Sequence, residues 1–288
     1  MICKSFAALL AIVTVVTTSI ALPSAANEVR FTSDAGKPSA FREKLARQRG
    51  ETLPPYQGVP LGGFLSRPKG DGPFPAIVIL NGCGGLGPRL KDDVSGRLVS
   101  QGYVVLVVDS FATRQMKSTC ATTERDVVFT ISDRVYDAYG ALDFLSKEPF
   151  VDASRVALMG FSAGGVTALT ATKSGGVEQL QDKKFKAAIA YYLTCSATDG
   201  EATVPTLIMA GELDDWGPPA KCRQRLANLS EKGSEIRLIV YPGAFHDFDV
   251  PAAKPRAVYF GHRLEYSASA TAQANKDVDS FLRQELRN

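Results

Sequence analysis

The pentapeptide Gly160-Phe161-Ser162-Ala163-Gly164 places one serine in a Gly-x-Ser-x-Gly pattern. It lies between the apolar run Val156 to Met159, which is typical of a strand, and a stretch with helical spacing from Ala163 to Thr172. A strand, a sharp turn and a helix in this order expose a serine hydroxyl for nucleophilic attack. The pattern is common by itself, so the assignment of Ser162 as nucleophile depends on its partners.

A serine hydroxyl becomes a nucleophile at neutral pH only when a base with a pKa near 7 lies within hydrogen-bond reach. The chain has two histidines, His246 and His262, and both follow Ser162. His246 comes directly after the predicted strand Ile236 to Tyr241, where a loop returns it to the strand ends. We therefore predict His246 as the base. His262 lies in a stretch with no predicted strand and remains the alternative.

A carboxylate is needed to orient the imidazole and to balance its charge. Asp214 follows the predicted strand Thr206 to Met209 in a Gly-x-x-Asp turn, which favours it over its neighbour Asp215. The resulting order of serine, aspartate and histidine along the chain is that of α/β-hydrolases. It differs from the orders in chymotrypsin-like and subtilisin-like enzymes.

Acyl transfer also needs N–H donors for the oxyanion that develops on the substrate. The backbone N–H of Ala163, directly after the candidate nucleophile, is one predicted donor. The second is the N–H of Cys83, in the glycine-rich loop Asn81-Gly82-Cys83-Gly84-Gly85. That loop lacks the glycine spacing of a dinucleotide site, and the histidines and cysteines lack zinc-site spacing. We predict neither a metal nor a cofactor.

The elements that must position these residues alternate between strands and helices. Continuously apolar strands separated by helices predict an α/β fold with a mostly parallel sheet flanked by helices. The predicted strands are Pro60 to Ser66, Ala76 to Leu80, Tyr103 to Val108, Arg155 to Met159, Ala187 to Tyr191, Thr206 to Met209 and Ile236 to Tyr241. Turn residues between the first two of these strands predict a hairpin. We expect one catalytic domain at residues 57–288.

The first 26 residues have the pattern of a secretory signal: a lysine, an apolar core and the small residues Ser24-Ala25-Ala26. An uncleaved membrane anchor is the alternative interpretation. Residues 27–56 are expected to be an N-terminal extension with one short helix from Ala40 to Arg49. We expect an exported protein, periplasmic or secreted, with no membrane contact after removal of the signal.

Four cysteines follow the predicted signal, and an exported protein permits disulfides between them. The alternative is four reduced, buried thiols. In the predicted sheet, Cys83 and Cys120 follow adjacent strands and Cys195 and Cys222 follow another neighbouring pair, so we favour pairing 83 with 120 and 195 with 222. A formal net charge of +3 with mixed signs shows no basic stripe, which argues against nucleic acid as a partner.

From Pro60 to Leu282 the chain resembles the dienelactone hydrolase family of α/β-hydrolases. The resemblance implies a sheet of eight strands or slightly fewer, and a triad of Ser162, Asp214 and His246. The matching stretches are Asn81-Gly82-Cys83-Gly84-Gly85-Leu86, Asp109-Ser110-Phe111, Gly160-Phe161-Ser162-Ala163-Gly164-Gly165, Gly211-Glu212-Leu213-Asp214-Asp215-Trp216 and Tyr241-Pro242-Gly243-Ala244-Phe245-His246.

One departure from that family concerns the chemistry. Its namesake enzymes use a cysteine nucleophile and an acidic residue in the loop after the third strand, where this chain has Ser162 and Gly82. This departure argues against thiol-specific chemistry on dienelactone and favours a serine esterase. Arg114 lies near the position where the family holds the substrate carboxylate, although a solvent-facing arginine is the alternative. Trp216 is a candidate wall of the pocket, or else a packing residue.

The function predicted from the sequence is hydrolysis of a small carboxylic ester or lactone through an acyl-Ser162 intermediate. The partner is a small-molecule substrate, and the oligomeric state stays open. The alternatives are an exported peptidase or polymer-ester hydrolase on the same fold, and a binding protein that has lost the activity.

Overall fold

An eight-stranded sheet forms the centre of the protein, with the strand order β1-β2-β4-β3-β5-β6-β7-β8. The computed structural model describes residues 26–34, 47–50, 58–121, 124–195, 200–230, 232–253 and 257–287. The strands are β1 (Asn27–Thr32), β2 (Pro60–Ser66), β3 (Phe74–Leu80), β4 (Val104–Asp109), β5 (Val151–Phe161), β6 (Ala187–Tyr191), β7 (Thr206–Gly211) and β8 (Ile236–Tyr241). Strands β3 to β8 run parallel, β2 pairs antiparallel with β4, and β1 pairs antiparallel with β2. The predicted α/β fold is confirmed.

Helices cover both faces of this sheet. They are α1 (Ser95–Ser100), which continues a π-helical turn at Arg89–Val94, α2 (Glu124–Leu145), α3 (Ala163–Ala171), α4 (Pro219–Ala227) and α5 (Ala268–Leu286). Ile77 and Ile79 pack with Phe281 of α5 on one face, while Val78 packs with Leu142 of α2 on the other. Because both faces are buried, the central strands are apolar at every position rather than at every second one.

The pairing of the first strands differs from the prediction. The predicted hairpin between β2 and β3 is wrong, because β2 pairs with β1 and β4, while β3 lies between β4 and β5. Local turn residues indicate a reversal of the chain, but they do not select the strand that becomes the neighbour.

Two regions form strands in the structure although the sequence analysis predicted no strand there. Residues 27–32, inside the expected extension, add the edge strand β1. Strands β9 (Ala257–Tyr259) and β10 (His262–Leu264) form a small antiparallel hairpin. The predicted signal up to residue 25 and most of the helix predicted from Ala40 to Arg49 lie outside the described residues; residues 47–49 are helical. Among the helices that are described, none combines the length and hydropathy of a membrane span.

The turn from β5 into α3 is shaped by close contact between backbone segments. Ser162 has φ 51° and ψ −115°, a conformation that non-glycine residues seldom adopt. A Cβ on Gly160 would lie 2.0 Å from the carbonyl oxygen of Gly164, and one on Gly164 would lie 2.4 Å from the carbonyl oxygen of Leu80. Both neighbours are backbone atoms, so the two glycines are required by packing. This constraint explains the Gly-x-Ser-x-Gly pattern.

We expect Gly160→Ala to lower the free energy of unfolding by about 3 kcal/mol or more, because backbone must move to admit the methyl group. Gly96→Ala in α1 is the matched control: nothing lies within 4 Å of an added Cβ there. Alanine should stabilise that helix by about 1 kcal/mol. Urea unfolding midpoints of both variants check this, and equal midpoints would contradict the packing argument.

Candidate active site

Three side chains from three loops meet at the carboxyl ends of the parallel strands. The Ser162 Oγ lies 3.0 Å from Nε2 of His246, and Nδ1 of His246 lies 2.9 Å from Oδ2 of Asp214. Ser162 follows β5, Asp214 follows β7 and His246 follows β8. The structure thus brings together the three residues that the sequence analysis selected, in one chain of hydrogen bonds.

Asp214 is held in place on both of its oxygens. While Oδ2 faces His246, Oδ1 accepts backbone N–H groups from Trp216 at 2.9 Å and from Gly217 at 2.7 Å. The residue is 3% exposed, as is His246. A buried carboxylate with both oxygens hydrogen-bonded fixes the ring orientation of the histidine that it faces.

Aromatic rings hold the imidazole of His246 on two sides. The ring centroid of Tyr192 lies 4.8 Å from it and that of Trp216 lies 5.1 Å away. The backbone of His246 also forms a β-bridge with Leu264 of β10. The hairpin that the sequence analysis did not predict therefore supports the loop that carries this histidine.

The two alternative residues pair with each other instead. Nδ1 of His262 lies 3.4 Å from Oδ1 of Asp215, and the His262 ring stacks on Trp216 at 4.8 Å. The expectation that no strand anchors His262 is wrong, because it begins β10. This pair lies partly in solvent and ties the hairpin to the loop after β7.

The glycine-rich loop after β3 lies directly beside Ser162. A Cβ on Gly82 would lie 3.5 Å from the Cβ of Ser162. Cys83 forms a disulfide with Cys120, and its carbonyl oxygen accepts the N–H of Thr119 at 2.8 Å. The second disulfide joins Cys195 and Cys222. Both pairings agree with those favoured from the sequence.

Arg134 of α2 supports this loop from behind, a role that the sequence analysis missed. It is 1% exposed, and its Nη2 donates to the carbonyl oxygen of Asn81. Burial lowers the pKa of Arg134 to about 10, and the nearby Asp137 opposes that effect. The sequence offered one signal for this role, a charged residue on an otherwise buried helix face. Charged residues are rarely buried without a partner.

Arg114 does not reach the site. Its guanidinium makes two hydrogen bonds to the carboxylate of Asp137, at 2.8 and 2.9 Å, and another to the carbonyl oxygen of Ser110. The side chain of Asp137 is fully buried. Arg114 therefore has a structural partner, and it is not among the described residues that line the pocket.

A cavity of about 390 Å³ opens over Ser162 and His246. Trp216 is part of its wall, which is one of the two roles that the sequence analysis left open for it, and so are both cysteines of the Cys83–Cys120 disulfide. The described lining residues are Gly82, Cys83, Gly84, Cys120, Ser162, Trp216, His246, Asp247, Val250, Ala252, Ala253, Val258, Tyr259 and Leu264. Over the described ranges, no group of three or more His, Cys, Asp or Glu could hold a metal ion.

Comparison with known proteins shows the family of this chain. A family model described as the dienelactone hydrolase family matches residues 61–286. The chain belongs to this family. The protein is a carboxylic ester hydrolase.

Among similar proteins, a proposed carboxymethylenebutenolidase of Methylorubrum extorquens is 26% identical over 285 residues, covering 92% of this chain and 88% of the relative. A probable 2-oxo-3-(5-oxofuran-2-ylidene)propanoate lactonase of a Bradyrhizobium species is 25% identical over 198 residues, covering 64% of this chain and 77% of the relative.

Solved structures share the fold at lower identity. A dienelactone hydrolase-like promiscuous phosphotriesterase from metagenomic libraries superposes with a TM-score of 0.66 at 18% identity, covering 91% of this chain and 99% of the other. Esterase 2 of Thermogutta terrifontis, in a form phosphoramylated by tabun, has a TM-score of 0.59 at 18% identity, covering 78% of this chain and 89% of the other.

The two disulfides should differ in their effect on hydrolysis. We expect Cys83→Ala/Cys120→Ala and Cys195→Ala/Cys222→Ala each to lose about 2–4 kcal/mol of stability. The first pair lies in the cavity wall, so only its removal should also lower kcat on a 4-nitrophenyl ester, by about tenfold as the loop beside Ser162 loosens. The measurement is made well below both unfolding temperatures. Equal kcat values in the two variants would contradict a role for the first disulfide in the site.

Proposed function

We propose that the protein is a serine hydrolase which cleaves a small carboxylic ester or lactone through an acyl-Ser162 intermediate. The observation that carries this proposal is the unbroken chain of hydrogen bonds from Ser162 through His246 to Asp214, with distances of 3.0 and 2.9 Å. A hydroxyl, an imidazole and a buried carboxylate in this order are the parts that nucleophilic catalysis by serine requires.

In the proposed first half-reaction, His246 takes the proton of Ser162 as the Oγ attacks the substrate carbonyl carbon. Nδ1–H of His246 donates to Asp214, which leaves Nε2 free to accept that proton. When the tetrahedral intermediate collapses, the proton passes from Nε2 to the leaving alkoxide. In the second half-reaction, His246 deprotonates a water molecule that attacks the acyl-enzyme. As the second tetrahedral intermediate collapses, this proton passes from Nε2 to Oγ of Ser162, and the acid is released.

We assign the oxyanion donors to the backbone N–H groups of Ala163 and Cys83. Ala163 is the first residue of α3, where N–H groups have no partner within the helix. Cys83 lines the cavity next to Gly82, and its loop is held by Arg134 and by the disulfide. These contacts support a loop whose donors are positioned before the substrate binds. The mechanism uses side chains and backbone alone, without a cofactor.

The size and lining of the cavity support a small substrate with an apolar part. A polymer ester or another extended apolar substrate is a second candidate, and one observation favours it. Val258, Tyr259 and Phe260 of the hairpin are 68%, 45% and 53% exposed beside the cavity. Exposed apolar residues of this kind often mark a binding surface.

We also propose that the protein is exported, with residues 1–26 as its signal and residues 57–288 as the catalytic domain. The two disulfides support an oxidising compartment, since such bonds are rare in the reducing cytosol.

We expect Ser162→Ala to abolish covalent labelling by a fluorophosphonate and to lower kcat on a 4-nitrophenyl ester by about 10³-fold or more. His246→Ala and Asp214→Asn should lower kcat by similar factors, because the three residues act as one unit. Labelling is read by mass spectrometry of the intact protein.

The chain supplies matched controls for two of these variants. His262→Ala and Asp215→Asn make the same chemical changes beside the site, where Nδ1 of His262 lies 3.4 Å from Oδ1 of Asp215 and neither side chain belongs to the proposed triad. We expect both to retain most of the activity. Labelling that persists in Ser162→Ala would show that another residue is the nucleophile. Full labelling of the unaltered protein without turnover of any ester would favour a binding protein.

A further inference from the structure

The cavity over Ser162 contains one carboxylate that the proposed mechanism does not use. Asp247 directly follows His246 and is among the residues that line the cavity. Its neighbours in sequence, His246 and Phe248, are 3% and 0% exposed, whereas Asp247 is half-buried. The chain therefore presents an acidic group next to the candidate base.

The backbone at Asp247 is adapted to this position. Its φ is 55°, in the left-handed region. Asparagine and aspartate adopt this conformation more readily than other residues with a side chain. Asp247→Asn is therefore a substitution that the backbone tolerates, which removes the charge and keeps the shape.

The nearby Arg89 is engaged by another carboxylate, because it pairs with Asp249 at 2.7 Å. Over the part of the chain that the structure describes, no ion pair or side-chain hydrogen bond involves the carboxylate of Asp247. The described lining of the cavity contains no lysine or arginine. Among the described residues, the cavity thus presents a carboxylate that forms no ion pair.

We propose that Asp247 is a specificity-determining residue which excludes substrates with a carboxylate near the reacting carbonyl, so that the site takes uncharged or cationic esters. This inference rests on the proposed function of Ser162. Two like charges in a partly dehydrated cavity repel each other more strongly than in water. A repulsive group of this kind separates substrates by rejecting one class rather than by binding the other more tightly.

The test is a charge series of three 4-nitrophenyl esters whose acyl chains have equal length and end in a carboxylate, a methyl ester or a trimethylammonium group. In the unaltered protein, kcat/KM for the carboxylate ester should be about tenfold below that for the methyl ester, and the cationic ester should not be disfavoured. In Asp247→Asn, the ratio between the carboxylate and methyl esters should come within about twofold of one.

Asp71→Asn is the matched control for net charge. Asp71 is exposed and precedes β3, at the end of the sheet opposite the cavity, so its removal should leave the ratio unchanged. The proposal is overturned if the unaltered protein treats the three esters alike or prefers the carboxylate, if Asp247→Asn keeps the original ratio, or if Asp71→Asn shifts it equally. Failure of the proposed function has a different signature: no ester is cleaved, or cleavage survives in Ser162→Ala.

Stability provides a second readout. Burial raises the pKa of Asp247, with Asp249 and Asp214 acting in the same direction and His246 and Arg89 in the opposite one. Because the folded state holds the proton more tightly than the unfolded state, the ionised carboxylate lowers stability above the raised pKa. That loss disappears below the ordinary pKa of aspartate.

We therefore expect Asp247→Asn to have a higher urea midpoint than the unaltered protein at pH 8, and the difference to vanish toward pH 3.5. A carboxylate kept for structure alone would give the opposite result, with the variant less stable at pH 8. That result would contradict the role in specificity.

Discussion

The structure depends on the contact between backbone segments at the turn after β5. Gly160 and Gly164 let this strand and α3 approach so closely that no side chain fits between them, and Ser162 between them has a positive φ of 51°. The strain at this one residue is held by the packing of the sheet on both faces. The hydroxyl is consequently held at the strand end in the middle of the sheet, where loops from several strands can meet it.

The parallel order of the strands brings the partners of Ser162 to the same edge. The loops after β7 and β8 deliver Asp214 and His246, and the loop after β3 lies on the other side of the serine. Each loop has its own support: N–H groups hold Asp214, aromatic rings hold His246, and Arg134 with a disulfide holds the glycine-rich loop. Such support outside the reacting groups is what keeps a catalytic geometry fixed.

The charges around the cavity are the basis of the proposal that anionic substrates are excluded. Arg114 forms an ion pair with the buried carboxylate of Asp137. Arg89 forms an ion pair with Asp249, which also accepts a hydrogen bond from the hydroxyl of Tyr192. Asp247 faces the proposed reaction without such a partner among the described residues. Membership in an ester-hydrolase family therefore leaves the substrate class open, and the local arrangement of a few charges is what we propose decides it.

The sequence by itself determined the features that are written in local patterns. Apolar runs and helical spacing indicated most of the strands and helices, and the order of Ser162, Asp214 and His246 indicated the triad, because each motif directly follows its own strand. The same patterns could not supply the position of β2 beside β4 rather than β3, or the strand at residues 27–32, because pairing joins segments distant in sequence.

Tertiary structure alone decided which side chains face the cavity. The sequence favoured His246 over His262 and Asp214 over Asp215 from their positions after strands, but only the structure shows that His262 lies against Asp215. Packing likewise turned Arg114 away from the cavity and left Asp247 on its wall. Side-chain direction depends on neighbours from remote parts of the chain, so it becomes defined only when the fold is complete.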